Sequence, residues 1–301
     1  MKITNKLKLP EPLVNAVRND PYDSGKSDIS CTGLIGSPWA RQLAFKNKNK
    51  ITEDASERIY ALLGQSVHSI LERAKAPGYR VEERLFFTIP AVVINDYKYR
   101  HIVLGCISPY TTENIPITLS GQFDLITPDG TLQDYKVTSW YACKDGPKIE
   151  WEQQLNVLRF LCWKNQIVID ELQIVAILRD WSRANKVRHG KDYPDQPVMV
   201  IDVPMWDLSD SWDFVSDRIQ AHFFNDPEPC TAEERWRKPD SWAVKKKGNK
   251  KATKVFYDQD YAKDFQLDKG GEEKFEIEFR PGEDTRCLHY CSVASFCKAK
   301  A

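Results

Sequence analysis

The 301-residue sequence predicts an α/β protein with a central mixed sheet flanked by helices. Three observations carry that expectation. A segment of helical periodicity, Glu53–Ala76, precedes four consecutive segments rich in β-branched and aromatic residues. A second helical segment, Ile149–Lys164, follows them, and the apolar run Glu171–Leu178 comes directly after. With 42% hydrophobic and 11% aromatic residues, the chain is able to bury a sizeable core.

Taken in order, the first thirty residues, with PEP, NDP and DSGKSD, read as an irregular or weakly helical lead-in. In Glu53–Ala76, Ile59, Leu62, Leu63, Val67, Ile70 and Leu71 recur at helical spacing until Pro77-Gly78 stops them, and the buried face is expected to carry His68. Strands are expected over Arg80–Ile89, Arg100–Ile107, Thr118–Ile126 and Thr131–Thr138. Beyond the second helix and the Glu171–Leu178 strand come a short strand, Val198–Val203, and a helix, Trp206–Asn225, with its aromatics on one side. After Pro227 the composition turns charged and aromatic. The chain therefore divides into a core, 1–226, and a basic, cysteine-rich segment, 227–301, expected to pack on the core as an appendage.

Lys plus Arg equals Asp plus Glu at 43 each, so contacts to nucleic acid must come from local clusters. No run of about eighteen apolar residues occurs, and MKITNKLKLPEPL lacks the apolar stretch of a secretory signal, which points away from a membrane and towards the cytoplasm. Eight cysteines without an export signal argue for metal ligation or burial over a disulfide scaffold.

The stretch SGQFDLITPDGTLQDYKVTSW places an aspartate in each of two apolar runs around a Pro-Asp-Gly turn. Strand alternation puts Asp134 and Lys136 on one face, and a hairpin brings Asp124 to the same end of the sheet. Mg²⁺ takes oxygen ligands, and Asp124, Asp134 and the carbonyl of Tyr135 offer that set. Such an ion stabilises charge on a phosphodiester and activates water, while Lys136 orients the water and offsets developing charge. His68 and Gln154 lie on the flanking apolar helices, and imidazole admits Mn²⁺ as an alternative. The plain alternative is a hairpin with a wet polar face.

Asp124 followed by Asp134-Tyr135-Lys136 resembles the metal-binding signature of the PD-(D/E)XK nuclease superfamily. GQSVHSILE, Gly64–Glu72, is similar to the histidine-bearing helix of RecB-like exonucleases, and QQLNVLRFL, Gln153–Leu161, to their Gln-x-x-x-Tyr motif, with Leu158 in place of the tyrosine. The resemblance implies a restriction-endonuclease-like core with His68, Asp124 and Asp134 as metal ligands. It makes Lys136 the water-orienting cation and Gln154 a contact to DNA backbone or to that lysine. Gln153 and Glu152 are the neighbours with which Gln154 is most easily confused, and Glu83 stands as an additional acid behind the ligands.

Cys287, Cys291 and Cys297 lie close together, and thiolates so spaced suit one soft metal; a fourth ligand must come from Cys230 or Cys31. Cys230 is favoured because it opens the segment that a cluster would pin. RecB-like exonucleases with iron-sulfur clusters look similar, with one early cysteine and three clustered late. This implies a 4Fe-4S cluster, with Zn²⁺ as the alternative, clasping the carboxyl terminus. Cys106, Cys143 and Cys162 read as small core hydrophobes.

VKKKGNKKATK, with Trp236 and Trp242 upstream, reads either as a flexible DNA-contacting loop or as a solvated one. LRDWSRANKVRHGKDYP reads as a mobile basic loop bordering the metal site. Taken together, these segments resemble a phage-type exonuclease. The expected function is metal-dependent DNA exonuclease activity in recombination or DNA processing, with a recombination protein as partner. A structure-specific endonuclease and a non-catalytic DNA-binding subunit are the alternatives.

Overall fold

The computed structural model describes residues 2–20, 25–73, 76–95, 100–104 and 113–299. The chain forms two compact units, 1–42 with 48–227, and 43–47 with 228–301.

The first unit opens on β1 (Lys2–Thr4), α1 (Glu11–Arg18), β2 (Ile29–Ser30), α2 (Cys31–Ile35), α3 (Pro38–Lys46), β3 (Thr52–Asp54) and α4 (Ile59–Leu71). Next come β4 (Arg80–Val81), β5 (Arg84–Asn95), β6 (Arg100–Leu104), β7 (Glu113–Gln122), β8 (Leu125–Ile126) and β9 (Thr131–Thr138). It closes on α5 (Ile149–Lys164), β10 (Glu171–Leu178), α6 (Arg183–His189), β11 (Val198–Asp202) and α7 (Leu208–Phe223). A mixed five-stranded sheet runs β11-β10-β9-β8-β4, with β9 and β10 parallel and the other pairs antiparallel; a second sheet runs β2-β7-β5-β6. The α/β class with a central mixed sheet and flanking helices is thus as the sequence indicates.

Helix α5 ties the two sheets together, touching β5 and β7 on one side and β9 and β10 on the other. Glu150 and Glu152 favour its N-terminus and Lys164 its C-terminus. Beyond its end, the Asn165 amide donates to the Leu161 and Phe86 carbonyls at 2.8 and 3.1 Å. Leu155, Leu158, Phe160 and Leu161 are fully buried, each contributing about 1.5–3 kcal/mol of transfer free energy. Against them lies Gly121 of β7, where a Cβ would meet Leu158 Cδ2 at 2.6 Å and Leu161 Cδ1 at 2.8 Å. Gly121→Ala is therefore expected to destabilise the fold by about 1–3 kcal/mol, read as a lowered urea midpoint; an unchanged midpoint would contradict the close packing.

Thr118–Ile126 is not one strand. It breaks at Phe123-Asp124, so β7 pairs with β5 in the second sheet while β8 pairs with β9 in the first. The opposing strand breaks at the same level, between β4 and β5. Phe123 N–H donates to the Glu83 carbonyl at 3.2 Å and Glu82 N–H to the Asp124 carbonyl at 3.0 Å, which holds the two kinks together. Glu82 sits there at φ 54°. The segment expected to run to Ile107 is a strand as far as Leu104, and its remainder and Cys106 lie outside the described residues.

Other expectations are corrected. The lead-in is packed: β1 pairs with β3, and Val14 and Val17 of α1 bury against Ala55. Four hydrogen bonds, from Lys6 N–H, Thr4 Oγ1, and Ser56 N–H and Oγ, hold the Asp54 carboxyl well below the usual range. Helix α4 starts at Ile59, because Asp54 caps a 3₁₀ turn over Ala55–Arg58 that precedes it. None of its residues is buried; Tyr60, Leu63 and Ile70 are exposed and His68 is half-buried. The basic segment after β10 is helix α6, capped by the Ser182 hydroxyl, with the Trp181 indole donating to the Pro194 carbonyl at 2.9 Å.

On α7, His222 Nε2 lies 2.9 Å from the Leu34 carbonyl, which also accepts from Arg218 at 3.0 Å, so α7 gathers the C-terminal end of α2. Burial pulls His222 down to about 4. The unfolded chain takes up this proton near pH 6.5 but the folded chain does not, so stability is lost as pH falls from about 6.5 to about 4. His222→Gln should flatten that part of the Tm-against-pH curve; identical slopes for both proteins would refute the assignment.

The second unit contains β12 (Ser241–Lys246), β13 (Lys254–Phe256), α8 (Gln259–Asp268), α9 (Gly271–Lys274), β14 (Phe275–Arg280) and α10 (Thr285–His289). β12 is the middle strand between β13 and β14. Ala243, Val244 and Ala262 are buried in this unit. The lysine run begins at the end of β12 and finishes at the start of β13, its residues 247–253 forming the connection between them, and Lys245 pairs with Glu276 at 3.8 Å and with Glu278. Trp242 packs on Phe279 and Trp236 on Tyr290, both at 5.4 Å between ring centroids.

Candidate active site

Pairing in the five-stranded sheet determines which side chains of β9 meet α5. Leu132, Asp134 and Lys136 share a face, and Gln154 on α5 lies against it. Gln154 Nε2 donates to Asp134 Oδ1 at 2.8 Å, and Lys136 Nζ donates to Gln154 Oε1 at 3.0 Å. Lys136 Nζ also lies 2.6 Å from Asp134 Oδ2, an ion pair in which that buried oxygen makes no directed hydrogen bond. Burial raises the Asp134 carboxyl above its ordinary value; the Asp124 charge adds to this and Lys136 opposes it.

Beside this group the kinked strands bring Glu82 and Asp124 to His68 of α4. His68 Nδ1 is 3.3 Å from Glu82 Oε1 and 3.3 Å from Asp124 Oδ1. Each carboxylate commits its other oxygen to the frame. Asp124 Oδ2 accepts from Tyr135 N–H at 2.6 Å, and Glu82 Oε2 from Gln122 Nε2 at 2.7 Å. Gln122 is itself held by Arg84 at 2.9 Å. One ligand atom each from His68, Glu82 and Asp124 falls within 4.8 Å of the others, the one such group among the described residues. Hydrogen bonds to Asp124 and then to Glu82 push His68 up to about 10, so one proton holds the three groups together.

An oxygen-rich set with one imidazole suits Mg²⁺ or Mn²⁺, and outer partners that fix both carboxylates are what a metal site requires. Asp134 Oδ2, paired with Lys136, adds a further carboxylate oxygen beside it. All of these groups, with Cys31, Gln65 and Leu158, line a pocket of about 370 Å³.

The sequence-derived residues His68, Asp124, Asp134, Lys136 and Gln154 are thus in one place. Asp134 falls outside the three-atom group, paired with Lys136, although the Asp124 and His68 charges reach it. Tyr135 contributes its N–H, not its carbonyl, to Asp124, and lines a neighbouring pocket. Glu82 is the residue that sequence reasoning missed in favour of Glu83. Glu83 turns away to a two-pronged pair with Arg80, at 3.0 Å and 2.5 Å. Glu152 is also occupied elsewhere, accepting from the Trp206 indole at 2.7 Å.

In the second unit, Cys230, Cys291 and Cys297 all lie close enough to Cys287 for their charges to raise its thiol, which burial raises first. Arg235 joins the start of this segment to its end, donating to the Cys230 carbonyl at 2.9 Å and pairing with Asp284 at 3.2 Å. Cys31 belongs to the core of the first unit, where its thiol donates to the Gln154 carbonyl at 3.4 Å and burial raises it far above its ordinary value. Cys143 and Cys162 are buried thiols.

No family model matches the chain, and no curated protein matches it. Among solved structures, that of SSO0001 is similar with a TM-score of 0.42 and 17% identity, covering 71% of this chain and 85% of that one. No helix among the described residues is long and apolar enough to cross a membrane.

Proposed function

We propose that the chain is a divalent-metal-dependent deoxyribonuclease, an exonuclease on a restriction-endonuclease-like core. The observation that carries this reading is the convergence of His68, Glu82 and Asp124 on one point beside the hydrogen-bonded Asp134, Lys136 and Gln154. A divalent cation supplies charge stabilisation at a phosphodiester oxygen and a supply of hydroxide near neutral pH. His68 Nδ1, Glu82 Oε1 and Asp124 Oδ1 would hold it, with Asp134 Oδ2 alongside. Lys136, steadied by Gln154, offsets the negative charge that develops on the phosphate and orients the attacking water. The similarity of Gly64–Glu72 to RecB-like exonucleases favours action at ends over internal cutting. Degradation of linear but not covalently closed DNA in Mg²⁺ or Mn²⁺ tests it; cutting of closed circles would assign an endonuclease, and no cleavage of either would leave a DNA-binding subunit.

Because His68 carries a proton at pH 7 in the metal-free protein, cation binding at Nδ1 must displace it. Mn²⁺ titrations in buffers of different ionisation enthalpy should show release of close to one proton at pH 7. The apparent affinity should climb by up to about tenfold per pH unit until His68 loses its proton near 10. Binding without proton release would exclude His68 as a ligand.

We further propose that Cys230, Cys287, Cys291 and Cys297 hold one soft metal centre. Tetrahedral zinc with bonds of about 2.3 Å draws its thiolates to roughly 3.8 Å of one another. The resemblance to RecB-like exonucleases with iron-sulfur clusters favours a 4Fe-4S cluster over zinc. Anaerobic purification with iron analysis and visible absorbance distinguishes the two.

A further inference from the structure

Glu82 and Asp124 also line a second pocket, of about 300 Å³, which Lys136 does not line. Its character differs from that of the first. Where the Lys136 side offers an ammonium and the Arg84 guanidinium, this pocket is lined by Leu71, Val81 and Leu125, by Tyr79 and Tyr135, and by a third acid, Glu72. Tyr135 is half-buried, and its phenol is raised first by burial and then by the charges of Asp124, Tyr79 and Glu82, so the two phenols and the two carboxylates are near neighbours. Tyr79 stands at the rim, 42% exposed.

An anion has no place among the three acids Glu72, Glu82 and Asp124 and the apolar walls, but a flat uncharged ring does. Resting on the nuclease reading, we propose that this pocket receives the nucleobase adjoining the scissile phosphate, stacked against Tyr79 and Tyr135, while the phosphate lies on the Lys136 side. The two pockets meet at Glu82 and Asp124, so a single nucleotide bridges them with its phosphate at the cation position. Recognition is of a base face rather than of hydrogen-bonding edges, so any of the four bases is accepted but the base has to be unpaired. Tyr79 and Tyr135 are then substrate-positioning residues.

The test uses the full-length protein in Ca²⁺ with single-stranded oligodeoxynucleotides carrying 2-aminopurine at the 5′ end, at the 3′ end or internally, with anisotropy of a distant dye reporting binding. The expected result is quenching of one of the three labels on binding, retained in Tyr79→Phe and lost in Tyr79→Leu, with affinity reduced about tenfold. Tyr135→Phe should behave as Tyr79→Phe does; because Tyr135 lies in a central strand, thermal unfolding is compared for every variant. In Mg²⁺, the wild-type protein should cleave an oligonucleotide with one abasic nucleotide at the quenched position at least about tenfold more slowly than the intact strand, and Tyr79→Leu should cleave both alike. Quenching unaffected by Tyr79→Leu, or bound DNA without quenching at any position, overturns the base pocket even where cleavage is normal. Quenching without cleavage in any metal overturns the nuclease reading and leaves the pocket as a strand-binding site. Absence of oligonucleotide binding overturns both.

Discussion

On the proposed mechanism, replacing Asp134 with alanine should abolish Mg²⁺-dependent cleavage, with an expected loss of a thousandfold or more, equivalent to about 4 kcal/mol of barrier. Its carboxylate is buried and shared between Gln154, on Oδ1, and Lys136, on Oδ2. The substitution therefore removes a ligand position and the partner that aims Lys136 in one step. Lys136→Ala removes the cation that offsets charge and orients the water but leaves the proposed ligands in place, and should cost roughly a hundredfold while leaving Mn²⁺ affinity within a few-fold. DNA binding should stay near normal in Asp134→Ala, since loss of a negative charge does not weaken attraction to phosphate. Rates on end-labelled linear DNA, with equilibrium binding in Ca²⁺, measure both. Equal cleavage by Asp134→Ala would reject the mechanism.

Glu82→Gln should lower Mn²⁺ affinity by about a hundredfold or more, while Glu83→Gln stays within a few-fold of the parent. The two glutamates are adjacent in sequence but part in space, because Glu82 is left-handed at the kink and points at His68, whereas Glu83 is clamped by Arg80. Glu83→Gln removes an exposed ion pair from Arg80 and touches nothing at the cluster. Comparable loss in both variants would show that the kink does not separate their roles. Isothermal titration with Mn²⁺ resolves the difference without any assay of cleavage.

That pair also marks where sequence reasoning stops. Periodicity and β-rich composition were enough to find α5, β9 and β10, because each is long, largely buried and free of local conflict. The positions of Asp134 and Lys136 followed from alternation alone. Asp124 was found within a run read as a continuous strand, although it sits at a break where one ribbon passes from one sheet to the other. Alternation cannot show such a break, since both halves keep their β character, and the left-handed Glu82 carries none of the glycine that would flag a positive φ. The apolar residues of α4 gave its helical period correctly, yet periodicity does not say whether a face is covered, and this one is open at Tyr60, Leu63 and Ile70. The lead-in was misread because its packing depends on partners fifty residues away, Asp54 and Ala55, that no local pattern connects to it. The lysine run was read as a loop, and its residues 247–253 are one; what no local pattern showed is that its ends pair as the short, charged strands β12 and β13.

The most direct measurement is X-ray diffraction from crystals soaked in Mn²⁺, collected at the manganese absorption edge. The expected result is one strong anomalous peak in contact with His68 Nδ1, Glu82 Oε1 and Asp124 Oδ1, with the Asp134 carboxylate beside it, and its loss in Glu82→Gln. A peak elsewhere, or none at these three atoms under saturating Mn²⁺, would contradict the proposed metal centre and the cleavage chemistry built on it.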